Sequence, residues 1–231
     1  MQSVELLKKE YSLKKERILR RLSEFKKIYS EKVSWFYESG KMMQKPVSTL
    51  DDERIFEELV FCICTANTSA VMGLKAVDSL RGHLMHASQS EMAEILTDAG
   101  YRYPQKRPVY IVHARDFLKE QIGFDLKMHI ESLSDHEQRR EWFVKNIKGL
   151  GFKEASHFLR NIGFKGYAIL DKHIINSMHE FGALEKPEPP KNPKVYLQIE
   201  QKYKDFAHKI GIDMDELDLL LWSRKNGEIL K

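Results

Sequence analysis

The sequence predicts an all-α fold, and three observations predict it. Apolar residues recur at intervals of three and four along most of the 231 residues, Gly, Pro and Asp/Ser/Asn breaks separate those stretches, and no convincing pair of strands is found. With 42% hydrophobic residues the chain can bury a proper core, as one large domain or two small ones. No apolar run approaches the roughly 18 residues needed to cross a bilayer, and Met1–Glu10 lacks the apolar core of a secretion signal. A cytoplasmic protein without membrane contact is the expectation.

The elements follow in order. Ser3 can cap a first helix whose apolar stripe is Leu6, Leu13, Ile18, Leu22 and Phe25. Gly40 and Pro46 interrupt the chain, and Thr49 with Asp51 and Asp52 opens a helix into the apolar segment Phe56–Cys64. Ser69–Leu80 forms the next, ending near Gly82, and Gln89–Leu96 a short one. Pro104 or Pro108 begins a helix carrying Ile111, Phe117 and Leu118, and Ser134 caps one holding Trp142, Phe143 and Ile147. After a break at Gly149 and Gly151 a helix runs from Phe152 to about Ile162, and Asp171 caps another that ends near Gly182. Lys186–Pro193 holds four of the seven prolines and is the clearest linker. Asn192 and Pro193 then supply a cap and a first-turn proline for a helix through Ala207, and Asp213 with Asp215 starts the last, through Trp222.

Two cysteines, Cys62 and Cys64, leave no room for a disulfide framework or a four-cysteine zinc or iron–sulfur site within one chain. Their setting in an apolar helix reads as core. His83, His86 and Asp78 read as surface polar residues, and Asp213, Asp215, Glu216 and Asp218 crowd a helix N-terminus, where carboxylates are favoured without a metal. No metal and no cofactor is expected. The net charge of +4 is unevenly spread: residues 1–30 carry nine Lys/Arg against four acids, and residues 139–172 eight against three. Two basic zones on a slightly acidic body suit a polyanion-binding face, or two solvated helix faces.

The most informative stretch is Ile147-Lys148-Gly149-Leu150-Gly151-Phe152-Lys153-Glu154-Ala155. Its glycines tolerate positive φ and close backbone approach, and the helix that follows offers free N–H groups and a positive dipole end to a phosphate. Ala155, Phe158, Leu159 and Ile162 fall on one face, which seats the hairpin firmly, while Lys145, Lys148 and Arg160 add charge. This is the form of a helix-hairpin-helix element that grips backbone phosphates without reading bases. A tight corner between two helices has the same local form.

Taken together, Gly149 to Asn161 and Ala168-Ile169-Leu170-Asp171-Lys172-His173-Ile174 resemble the helix-hairpin-helix DNA glycosylases with a Gly/Pro-rich turn and a trailing aspartate. Within them the sequence is similar to the short prokaryotic type of 8-oxoguanine DNA glycosylase/AP lyase, from Thr49 onward. The resemblance implies two helical subdomains with a DNA-binding cleft between them. Residues 49–165 would form the central one, ending in the hairpin at about 139–162, and residues 1–48 with 166–231 the second. It implies that Lys153 attacks the sugar C1′, displaces the base and forms a Schiff base that undergoes β-elimination, for which the amine must be neutral. Asp171, 18 residues on, would cap a helix across the cleft and stabilise the positive charge that grows on the sugar. Taken singly, a lysine near a helix start is a surface charge and an aspartate before a helix is a cap. It is the joint pattern that carries the roles.

The resemblance also implies a partner, double-stranded DNA containing an oxidised purine, bound by a monomer. The damaged base must be flipped out of the duplex. Lys148, Gly149 and Gly151 would hold the backbone, and Asn67, in Cys64-Thr65-Ala66-Asn67-Thr68-Ser69-Ala70, would wedge the gap or serve as a helix cap. Trp222 would stack on the base, with Asp218 one turn earlier and the terminal Lys231 closing the pocket. Two rivals remain: a glycosylase of the same fold for another damaged base, and a non-catalytic hairpin module that only binds DNA.

Overall fold

A computed structural model describes residues 4–231, and Ser3, the expected first cap, lies outside the described residues. The elements run α1 (Val4–Ser30), β1 (Val33–Glu38), β2 (Lys41–Pro46), α2 (Asp51–Thr65), α3 (Ala70–Leu80), a 3₁₀ turn (Arg81–His83), α4 (Gln89–Asp98), α5 (Arg107–Ile122), α6 (Leu126–Ser132), α7 (His136–Asn146), α8 (Phe152–Asn161), α9 (Lys172–Glu180), α10 (Pro193–Ile210) and α11 (Met214–Asn226). The fold is all-α with one small antiparallel hairpin, β1–β2, that the sequence pattern does not announce. Trp35 faces Gln44 in its register. The hairpin turns on Ser39 and Gly40, both at positive φ (49° and 78°), which matches the primed turns that join twisted strands. Arg81 ties it down by donating to the Trp35 carbonyl at 2.6 Å while paired with Glu57 and Asp78.

α2 is the central helix, packed by α1, α3, α5, α6 and α8. Ile55 through Cys64 are buried on every side, and both cysteines are free and buried. A helix enclosed all round must pair its charges. Glu57 meets Arg81, and Glu58 accepts from Lys231 Nζ at 2.5 Å and from Asn161 Nδ2 at 3.3 Å. Arg54 reaches the Thr49 carbonyl at 3.1 Å and Asp51 at 3.0 Å.

Caps stop and start the helices much as the side chains dictate. Ser69 accepts from Met72 N–H, Ser88 makes a capping box with Glu91, Pro108 lies in the first turn of α5, and Asn192 with Pro193 opens α10. α7 is capped by Asp135 rather than Ser134: its Oδ1 accepts from the N–H groups of Glu137 and Gln138. The stripe of α1 also differs. Leu7, Ile18, Phe25 and Ile28 are buried, whereas Leu6 and Leu13 are 48% and 78% exposed. Between them the buried face is continued by polar groups, with Tyr11 bonded to Glu216 and Lys14 Nζ donating to Ser223 Oγ at 2.9 Å. No helix among the described residues is long and apolar enough to cross a membrane.

Candidate active site

The site is built on two helix N-termini. α7 ends at Asn146, the chain turns through Gly149 at φ +93°, and α8 starts after Gly151. A Cβ on Gly149 would come within 2.9 Å of the Tyr110 ring, so this turn requires glycine both for its φ and for its contact with α5. Ala155, Phe158 and Leu159 bury the inner face of α8, where truncating Phe158 to Ala would cost about 3–5 kcal/mol. The first turn is thereby held still while its outer side stays open: Gly151 brings no side chain to cap it, and Lys145, Lys148, Gly149 and Gly151 are exposed.

Lys153 is the second residue of α8, about a third exposed, with its ammonium 2.9 Å from Glu154 Oε1. The other oxygen of Glu154 accepts from the Gly151 N–H at 3.3 Å, so one carboxylate serves both the turn and the lysine. Asp171 caps α9. Its Oδ1 accepts from the N–H groups of His173 (2.7 Å) and Ile174 (2.9 Å). Burial pushes the Asp171 carboxyl above the usual range, and the helix N–H groups, His173 and the charge of Lys153 pull the other way. The structure thus brings Lys153 and Asp171 within electrostatic reach of one another.

Beyond Asp171 the end of α9 meets α11. The His173 ring stands edge-on to Trp222 at 4.8 Å, and Lys225 Nζ lies 2.7 Å from His173 Nε2. Asp218 is buried one turn before Trp222, its carboxylate 3.4 Å from Arg160 and neither oxygen hydrogen-bonded among the described residues. Burial raises its carboxyl to about 7, helped by Asp171 and Asp215 and opposed by Arg160. Arg160 therefore faces the core, over the Phe25 ring at 4.7 Å, and adds nothing to the outer charge of the hairpin as its position in a basic stretch suggests. Its chain partner Asp218, 58 residues away, cannot be seen from local spacing. Lys231 sends its ammonium to Glu58 and the Phe61 ring, 4.0 Å away. Burial lowers its pKa while Glu58 raises it. His157, one turn beyond Lys153, has Nε2 buried with no hydrogen-bond partner among the described residues, and burial, with the charges of Arg160, Lys153 and Lys231, pushes its pKa well below the usual histidine range.

Asn67 is exposed in the α2–α3 turn at φ +61°, a left-handed conformation that asparagine tolerates. Two residues the sequence reading missed clamp this turn. Arg107 Nη2 donates to the Ala66 carbonyl at 2.5 Å and Arg102 Nη1 to the Asn67 carbonyl at 3.3 Å. Arg107 also lies over the Tyr103 and Tyr110 rings. The interleaved aromatic and basic run Tyr101–Arg107 was the available signal. Among the described residues no three His, Cys, Asp or Glu side chains group as a metal ion would need.

An amine at an open helix N-terminus, with a carboxylate capping the next helix, suits covalent chemistry on a phosphate-bearing substrate. Known proteins bear on that directly. The 8-oxoguanine DNA glycosylase family model matches residues 36–212. The chain is 44% identical over 180 residues to an 8-oxoguanine DNA glycosylase/AP lyase of Korarchaeum cryptofilum, covering 78% of this chain and 84% of that one. It is 34% identical over 209 residues to that of Methanocaldococcus jannaschii, covering 90% and 94%. The crystal structure of the Thermotoga maritima 8-oxoguanine DNA glycosylase superposes with a TM-score of 0.80 at 34% identity, over 99% of this chain and 98% of that one. The M. jannaschii glycosylase/lyase in complex with a 15mer DNA containing 8-oxoguanine gives 0.81 at 33% identity, over 98% and 99%. On this evidence the chain belongs to the 8-oxoguanine DNA glycosylase family.

Proposed function

We propose that this protein excises 8-oxoguanine from duplex DNA and then cleaves the strand at the abasic site, using Lys153 as nucleophile. The observation that carries the proposal is the placement of Lys153 at the open start of α8, within electrostatic reach of the partly buried Asp171. The neutral amine attacks C1′ as the base departs, and Asp171 stabilises the positive charge on the sugar as the bond breaks. The resulting Schiff base acidifies C2′, and loss of that proton with the 3′ phosphate is the β-elimination. DNA lies between the 49–165 subdomain and the one formed by 1–48 with 166–231, held through Lys148 and the exposed turn at Gly149 and Gly151. Asn67, on its clamped turn, fills the gap left by the flipped base.

The flipped purine stacks on Trp222. Asp218 supports this placement, because beyond its ion pair with Arg160 its oxygens accept no hydrogen bond among the described residues and so suit the N–H donors on the Watson–Crick edge of a guanine. Lys231 anchors the tail over α2 through Glu58 and so helps close the pocket. The protein acts as a monomer on the chromosome in the cytoplasm. The test is incubation with a duplex carrying one 8-oxoguanine under borohydride. Wild type should give a covalent protein–DNA band, and Lys153→Gln none, with nicking down about 10⁴-fold or more. A Lys153→Gln band of wild-type strength overturns the nucleophile, and DNA binding by wild type without cleavage of any damaged base overturns the enzyme.

A further inference from the structure

Between the two proposed catalytic residues the chain forms no helix or strand from the end of α8 until Asp171 caps α9. Residues 167–170 are nevertheless buried, none more than 4% exposed. A buried irregular backbone must find partners outside itself. Here two side chains of α10 stand where a neighbouring strand would. The Ala168 N–H donates to Glu200 Oε1 at 2.9 Å, the Tyr196 hydroxyl donates to the Ala168 carbonyl at 2.6 Å, and the Leu170 N–H donates to the Tyr196 oxygen at 3.3 Å.

The same two side chains reach the helix of Lys153. Glu200 receives two bonds from Arg140 of α7, at 2.7 and 3.0 Å, and Arg140 Nη1 also donates to Ser156 Oγ at 3.3 Å. The Tyr196 oxygen lies 3.4 Å from Ser156 Oγ. Ser156 follows Lys153 by three residues, and Arg140, Ser156, Tyr196 and Glu200 are all buried. A closed chain of contacts therefore runs from Lys153's own helix to the backbone three residues and one residue before Asp171.

We infer that Tyr196 and Glu200 are positioning residues for the reaction: they touch neither Lys153 nor Asp171, yet set the separation of the two. The inference rests on the roles proposed above for that pair. Reactions that depend on a near-attack geometry lose roughly 10²-fold for a misplacement of about 1 Å. Removing one hydroxyl, as in Tyr196→Phe, leaves a buried carbonyl and a buried amide to find other partners, and the Asp171 segment shifts against α8.

Single-turnover excision from 8-oxoguanine duplex, borohydride trapping on a preformed abasic site and the Kd for DNA would be compared in wild type and Tyr196→Phe, well below the unfolding temperature. Excision, which needs both residues, should fall about tenfold, while abasic-site trapping, which needs the lysine but no base departure, and DNA affinity stay within about twofold of wild type. Excision as fast as wild type, or an equal fall in all three, would overturn the positioning role. Should Tyr196→Phe fail to fold, Ser156→Ala keeps the Ala168 and Leu170 bonds but cuts the tie to α8, and unchanged excision there overturns it too. A wild type that neither excises nor traps would instead overturn the proposed function.

Discussion

The helices α8 and α9 begin within 20 residues of each other and treat their positive ends in opposite ways. α8 starts at Gly151 with no capping side chain and an exposed turn, so its amides are left for an outside anion. α9 fills its own end: Asp171 takes two backbone amides on Oδ1 and is largely buried. On the proposed reading one dipole is offered to the substrate's backbone, while the other holds a carboxylate at a fixed point. The contrast teaches that a shared electrostatic device can serve binding at one helix and chemistry at the next, according to what sits at the cap.

Substitutions at the two caps sharpen that contrast. The largest effect after loss of Lys153 is expected at Asp171→Asn, which retains an acceptor for the cap but removes the charge. Single-turnover excision should fall about 10²–10³-fold with DNA affinity nearly unchanged, and an equal loss of both would erase the division of labour. Gly151→Asp closes the open end of α8 with its own carboxylate. Binding of damaged and undamaged duplex should weaken together, by about tenfold at low salt, as read by fluorescence anisotropy. Unaltered affinity would mean that the α8 amides do not face the backbone.

Asp218 tests the buried side by titration. Its folded pKa of about 7 lies above the ordinary 3.8, so its contribution to stability is fully present below that ordinary value and is lost as pH rises through about 7. Asp218→Asn lacks this titration, and urea unfolding should show the variant gaining on wild type between about pH 4 and pH 7, with no further gain above that. Excision by wild type should rise as pH passes through about 7, where the folded carboxyl ionises to meet the base, a limb absent in the variant. A constant stability difference would remove the basis for both. The smallest effect is expected at Lys148→Ser, where the slope of log affinity against log salt should fall by about 1 with little change in rate.

What could be read from the sequence follows a physical line. The Gly149–Gly151 turn, the Asp171 cap and the Asn192–Pro193 start are each decided within about four residues, and each is where its residue types put it. Features decided at long range were invisible. Arg160 sits in a basic stretch but turns inward because Asp218 waits in the core. Leu13 belongs to an apolar stripe on paper, yet Tyr11 and Lys14 take the buried face because α11 supplies Glu216 and Ser223. The β1–β2 hairpin is short and half-buried, and its Ser39–Gly40 turn resembles a simple break. The Arg140–Glu200 pair spans 60 residues, and no periodicity points to it.

The bond between Glu58 and Lys231 has a consequence for the birth of the chain. Glu58 lies in the middle of the central helix, and its cationic partner comes 173 residues later. At about 5–20 residues per second a nascent chain waits roughly 10 to 35 seconds between making the acid and making the lysine. Until Lys231 is made, Glu58 has the Asn161 amide but no cation to meet it in the interior. Closure of the core around α2 is therefore expected to be completed only once Lys231 is made, and a chain that ends within α11 should expose α2 more readily than the full one.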